Sequence, residues 1–213
     1  GGFAGNMFAN DRFGHSVAAI GDIDGDGLTE LVVGAPGDDD GGPERGAVWI
    51  LYMNSNGTVK NEVKISQTEG EFDGAIDDGD EFGNAVTSLG DYNNDGVPEL
   101  GVAAKLSDDG GSDRGAFWIL FLNAKAEVIS SSKISDLQGK FDGALADGDH
   151  FATGLVSIGD LDNDGIDDIA VTASGDSING TNRGAIWILF MAPVELGVKV
   201  DKEADLATLF GGG

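Results

Sequence analysis

The chain has 213 residues, which is enough for one domain with a substantial hydrophobic core, and we expect residues 1–213 to form a single repeat domain. Its formal net charge is −26, from 38 acidic residues against 12 lysines and arginines. That charge argues against nucleic acid or an anionic membrane surface as a partner, because both attract basic proteins. Disulfides and thiol chemistry are excluded because cysteine is absent, and membrane insertion is not expected because no apolar run approaches about 18 residues.

Most features of the chain recur every 69 residues, as Phe13, Phe82 and Phe151 do. Repetition over such a length indicates stacked supersecondary units. We place the units at approximately 3–71, 72–140 and 141–203, followed by a terminal tail at 204–213.

Each unit contains four predicted β-strands. In the first unit an alternating segment, His15–Ile20, precedes an acidic loop, and a short apolar run, Leu31–Pro36, follows it. The run Arg45–Met53 is almost wholly apolar, which is typical of a strand buried on both faces, and Thr58–Ile65 supplies a fourth strand. The later copies of the last two strands are Arg114–Leu122, Glu127–Ile134 and Arg183–Met191. Four-stranded sheets repeated along a chain are typical of propeller blades.

The acidic loop places side-chain oxygens at its positions 1, 3, 5 and 9 and glycine at position 6, in all three units. Such a pattern suits a hard cation that binds six to eight oxygens, with calcium the natural candidate. An EF-hand is excluded, because its position 12 requires Glu where these copies have Val33, Val102 and Val171. Asp, Asn and Gly also form ordinary turns, but a turn alone does not require acid at four alternating positions.

We therefore predict three calcium sites, each in a nine-residue loop, with a backbone carbonyl from position 7 completing each set. The predicted ligands are Asp22, Asp24, Asp26, Leu28 and Glu30; Asp91, Asn93, Asp95, Val97 and Glu99; and Asp160, Asp162, Asp164, Ile166 and Asp168. The second loop is expected to bind most weakly, because Asn93 leaves it three carboxylates against four in each of the others.

Phe-Gly at a strand start, the Asp-x-Asp-x-Asp-Gly loop and then Gly34-Ala35-Pro36 together resemble the FG-GAP repeat of integrin alpha-subunit propellers. The resemblance spans nearly the whole chain, although the third unit has Phe151-Ala152 in place of Phe-Gly. It implies an all-β fold of three four-stranded blades in a β-propeller-like array. It also implies that calcium binds the fifteen positions above, between the first two strands of each blade.

Two further sets of residues recur with the units, each open to a functional and a structural interpretation. They are Trp49, Trp118 and Trp187, and Arg45, Arg114 and Arg183. The tryptophans could stack on sugars, but their place inside doubly apolar strands favours core packing. The arginines could clamp an anionic ligand, but acidic loops nearby favour structural ion pairs.

The function that these patterns favour is a calcium-binding structural or adhesive module, extracellular or at the cell surface, where calcium fills even weak sites. A protein or glycan ligand is compatible with that role. The alternative is the propeller domain of a secreted carbohydrate-active enzyme, since glycoside cleavage needs only two carboxylates. An active site normally breaks a repeat, whereas the acidic motifs here recur, so we expect no catalytic activity.

Three blades are fewer than the roughly four to eight of closed propellers, so the end sheets should present apolar faces. We expect either head-to-tail self-association, into a ring or filament, or further blades of a longer chain. Near the end, Leu196–Val200 is predicted as the last fourth strand, and Lys202–Phe210 as a short helix or an extra strand.

Overall fold

The computed structural model describes residues 2–177, 181–194 and 197–205, with side chains for 2–177 and 181–192. Within these ranges all regular secondary structure is β, which confirms the all-β prediction. No helix in the described ranges is long and apolar enough to cross a membrane.

The strands form three four-stranded sheets, in each of which neighbours in the chain are antiparallel neighbours in space. The first sheet contains β1 (Ser16–Gly21), β2 (Glu30–Ala35), β3 (Ala47–Met53) and β4 (Val59–Ile65). The second contains β5 (Phe82–Gly90), β6 (Glu99–Ala104), β7 (Ala116–Leu122) and β8 (Val128–Ile134). The third contains β9 (Phe151–Gly159), β10 (Asp168–Ala173), β11 (Ala185–Val194) and β12 (Gly197–Asp205). Each sheet is one blade, and the first strands of successive blades, β1, β5 and β9, contact one another in turn.

The third strand of each blade is the centre of its packing. All seven residues of β7 are buried, with Phe117 and Ile119 facing the third blade and Trp118 and Leu120 facing the first. The double burial predicted for the apolar runs is therefore confirmed for β7, whereas in β11, the copy in the third blade, burial alternates and Ile186 is 43% exposed. On the first blade, the outer face around Trp49 is covered by an N-terminal segment, residues 2–14.

An aromatic pair recurs at each tryptophan. The edge-to-face partners are Phe3 and Trp49, Phe72 and Trp118, and Phe141 and Trp187, with ring centroids 5.1–5.4 Å apart. Each tryptophan is only 6% exposed, so core packing, rather than an open sugar platform, is their arrangement here.

Two of the three recurring arginines make ion pairs with the loops that join the blades. Arg45 Nε lies 2.7 Å from Asp78, and Arg114 contacts Asp147 at 2.9 Å and Asp136 at 2.7 Å. These contacts confirm the structural interpretation for Arg45 and Arg114, while Arg183 is exposed.

The Phe-Gly and Gly-Ala-Pro motifs meet at the boundary between the first two blades. A Cβ added to Gly34 would lie 2.0 Å from the carbonyl oxygen of Gly83, so only glycine allows this approach. Gly83 itself has a φ of 91°, and its counterpart Ala152 keeps a positive φ of 66°. The third unit thus retains the backbone shape without the glycine, at a cost on the order of 1 kcal/mol.

The last strand differs in length from its prediction. β12 begins at Gly197 and continues to Asp205, so the expected strand at Leu196–Val200 is extended and residues 202–205 are strand rather than helix. Residue 196 and the tail from 206 onward lie outside the described residues.

Phe82 and Phe13 occupy the same repeat position but differ in burial, with exposed fractions of 0% and 37%. We predict that Phe82→Ala lowers the free energy of unfolding by about 3–5 kcal/mol, because a fully buried ring leaves a cavity. Phe13→Ala should cost less than about half of that. Urea denaturation measures both, and equal losses would contradict the blade packing described above.

Candidate metal centres

The three acidic loops join β1 to β2, β5 to β6 and β9 to β10, as predicted. In each, the first aspartate organises the turn by accepting hydrogen bonds from the backbone. Asp22 accepts from Gly25 and Asp26 with Oδ1 and from Gly27 with Oδ2, at 2.8–3.1 Å. Asp91 and Asp160 repeat the bonds to the fourth and fifth residues beyond them. The loop backbone is thus shaped by the carboxylate at position 1.

The acid at position 9 is buried, unlike the others. Glu30, Glu99 and Asp168 are each 0% exposed, at the first residue of β2, β6 and β10. One oxygen of each accepts the N–H of the second loop residue, from Ile23, Tyr92 and Leu161 respectively.

The second oxygen of the buried acid distinguishes the loops. In Asp168 it accepts the N–H of Met191 at 3.0 Å. In Glu30 and Glu99 the Oε1 atom is buried and makes no hydrogen bond of ordinary geometry, although the backbone N–H groups of Met53 and Asn93 are near enough to act on the pKa of these two acids. A buried carboxylate oxygen whose hydrogen bonding is incomplete is costly, so these two atoms fit the coordination of a cation.

Three carboxylates converge in each loop, with their oxygens within 4.8 Å of one another. The groups are Asp22, Asp24 and Glu30; Asp91, Asp95 and Glu99; and Asp160, Asp162 and Asp168. Oxygen-only donor sets of this kind suit calcium. Asp26 and Asp164 lie outside these groups, and each accepts a backbone N–H two residues ahead, from Leu28 and Ile166.

In the second loop the acid at position 5, Asp95, belongs to the convergent group. The side chain of Asn93, at position 3, is hydrogen-bonded to Asp95. Asn93 Nδ2 donates to Asp95 Oδ2 at 2.9 Å, and Asn93 Oδ1 accepts the Asp95 N–H. The carbonyl ligands expected from Leu28, Val97 and Ile166 stay a prediction.

Burial and crowding act on the same carboxyls. Burial raises the pKa of Glu30, with repulsion from Asp24 and Asp26 adding to it. Burial likewise raises the pKa of Glu99 to about 7, and Asp95 and Asp91 add to the effect. A bound cation would offset this cost by stabilising the ionised forms.

Two groups near the loops are not indicated by any sequence pattern. Lys60, on β4, lies 2.8 Å from Asp24 Oδ2 and 2.5 Å from Asp26 Oδ2. The Tyr92 hydroxyl of the second loop donates to the backbone carbonyl of Asp167 in the third. Both contacts join residues more than 30 positions apart, so no local pattern could have indicated them.

Comparison with known proteins agrees with this geometry. The family model described as FG-GAP repeat matches residues 13–51 and 153–189, which carry the first and third loops. Over 171 residues, 80% of this chain, it is 33% identical to integrin alpha-4 of Xenopus laevis. It is 30% identical to integrin alpha-6 and to integrin alpha-11 of Homo sapiens, over 78% and 83% of the chain. The chain spans 13–15% of the length of these curated relatives. Its motifs, its blades and these matches together show that the chain belongs to the FG-GAP repeat family.

Proposed function

We propose that this chain is a calcium-binding module of the adhesive or structural kind, at the cell surface or outside the cell. The observation that carries the proposal is the convergence of three carboxylates in every loop around a fully buried acid. Its similarity to integrin alpha subunits supports the adhesive role and the location.

The fifteen loop positions predicted from the sequence remain the proposed ligand set. A calcium ion in each loop would offset most of the charge of the converging carboxylates and join the end of one strand to the start of the next. In the first loop, Asp22, Asp24 and Glu30 are already grouped for this, while Asp26 would have to turn from its present partners.

The alternative of a carbohydrate-active enzyme is less well supported. The acidic groups repeat in all three blades, whereas catalysis by a carboxylate pair requires one distinct acid and base. The curated relatives are integrin alpha subunits, and the tryptophans that could stack on a sugar are packed in the core.

The end faces of the array fit another FG-GAP-type blade. On the first blade Val17 is 62% exposed, while its counterpart Val86 inside the array is 7% exposed. On the third blade Ile186 is 43% exposed, while its counterparts Val48 and Phe117 are fully buried by the following blade. Inside the chain, the apolar face of a neighbouring blade buries these positions. At the end faces, a second copy of the chain or further blades of a longer chain would supply the same kind of surface.

We predict that calcium raises the melting temperature. At a free concentration 100-fold above its Kd, each site adds about 2.7 kcal/mol to the free energy of unfolding, or roughly 5–10 °C for a domain of this size. Calorimetric titration of chelator-treated protein with CaCl₂ should give three ions per chain. An unchanged melting temperature would mean that the loops are turns only.

Glu30→Gln should act in opposite directions with and without calcium. The pKa of Glu30 is raised in the folded chain without the ion. Ionising Glu30 therefore costs more in the folded than in the unfolded chain, and the free energy of unfolding falls as the pH rises above the ordinary pKa of a glutamate. The amide should therefore melt at the same temperature or higher in chelator, yet gain less than the wild type from calcium. Exposed Glu69→Gln is the matched control and should behave as the wild type in both media. A variant that loses stability in chelator and keeps the full calcium response would contradict this role for Glu30.

We predict that the 213-residue chain self-associates through its exposed end faces. Light scattering at micromolar concentration in calcium should give a mass above 21.8 kDa. Val156→Asp, at a position 51% exposed on β9, should reduce that mass, because a carboxylate opposes burial. Leu137→Asp, at a position 68% exposed after β8, should not. A monomeric wild type would exclude self-association and leave further blades as the partner.

A further inference from the structure

The first acidic loop differs from the second in having a lysine directly over it. Lys60 Nζ lies 2.8 Å from Asp24 Oδ2 and 2.5 Å from Asp26 Oδ2, and so bridges positions 3 and 5 of the loop. Asp24 belongs to the convergent carboxylate group. The ammonium thus contacts a carboxylate that belongs to the proposed calcium site.

The blade topology brings this lysine to the loop. β1 ends and β2 begins at the same end of the sheet as the hairpin between β3 and β4, because the four strands alternate in direction. Lys60 is the second residue of β4, at a register shift between Tyr52 and Met53. Lys60 therefore lies at the same end of the first blade as the acidic loop.

The second blade provides the comparison within the same chain. β8 has the same register shift, between Phe121 and Leu122, and the residue at the position of Lys60 is Ile129. Ile129 is 57% exposed and carries no charge. The first loop thus has four carboxylates and one ammonium, while the second has three carboxylates and Asn93, so the two have equal formal charge.

We propose that Lys60 is a built-in competitor for the cation of the first loop, which lowers the calcium affinity of that loop and offsets part of its negative charge when calcium is scarce. The inference rests on the proposed calcium binding and goes beyond it. Counting carboxylates alone makes the second loop weaker than the first. The lysine removes that difference, because calcium must also displace its contacts with Asp24 and Asp26.

The Lys60 side chain is exposed enough to be displaced by a calcium ion. Lys60 is 38% exposed, and its two partners are 26% and 32% exposed, so the ammonium can move into water at little cost. A divalent ion held by several oxygens outcompetes a single ammonium only above a threshold concentration. The first blade would then keep its loop in order at calcium levels that leave the site empty.

The test is a reciprocal exchange of the two side chains. In Lys60→Ile, calcium should bind the first loop about tenfold more tightly, since one opposing charge within contact distance is removed from a partly exposed site. In Ile129→Lys, calcium should bind the second loop more weakly by a similar factor. In chelator, Lys60→Ile should melt at a lower temperature than the wild type, because the loop carboxylates lose their counter-ion.

Site-resolved titration with CaCl₂ reads out these changes. The backbone amides of Gly27 and Gly96 each donate to the first aspartate of their loop, so their NMR signals report the first and second loops separately. The inference is overturned if Lys60→Ile leaves the midpoint at Gly27 within twofold of wild type, or if the change appears at Gly96 instead. Calcium uptake by wild type with no effect of either exchange refutes the inference alone. No uptake by wild type or by either variant refutes the proposed function, and the inference with it.

Discussion

The structure depends on burying sheets that are apolar on both faces. β7 has no exposed residue, and such a strand is stable only when a layer packs on each side of its sheet. The neighbouring blades supply both layers for the second sheet, and the N-terminal segment with Phe3 and Met7 supplies one for the first. The stacking of the blades thus provides the apolar surroundings that each such sheet requires.

Much of the fold could be predicted because its signals are local. The apolar runs at β3 and β7 and the interval of 69 residues identified the doubly buried strands and the four-stranded unit. The length of β12 could not be predicted, because its sequence departs from the earlier fourth strands and its pairing continues along β11 as far as Val194. Pairing register depends on partners elsewhere in the chain, which local periodicity does not specify.

The acids that converge in each loop could be found from their spacing, but their arrangement could not. Spacing could not show that Asp26 turns toward Lys60 while Asp24 also joins Asp22 and Glu30. The structure also shows why turn formation and ion binding are compatible interpretations. Asp22 builds the turn with its hydrogen bonds to backbone amides, whereas buried Glu30 accepts one such bond from the loop, at Oε2, and its Oε1 makes none of ordinary geometry. The acid at position 9 is thus the residue that turn formation explains least.

The two blade boundaries are joined beside their loops by different directional bonds. Between the second and third loops, the Tyr92 hydroxyl donates to the backbone carbonyl of Asp167. In the first loop the residue equivalent to Tyr92 is Ile23, which packs in the apolar core, and there Ser88 Oγ of the second blade donates to the backbone carbonyl of Ile20 instead. A force that separates the blades at their loop ends should therefore have to break a side-chain bond to a backbone carbonyl at both boundaries.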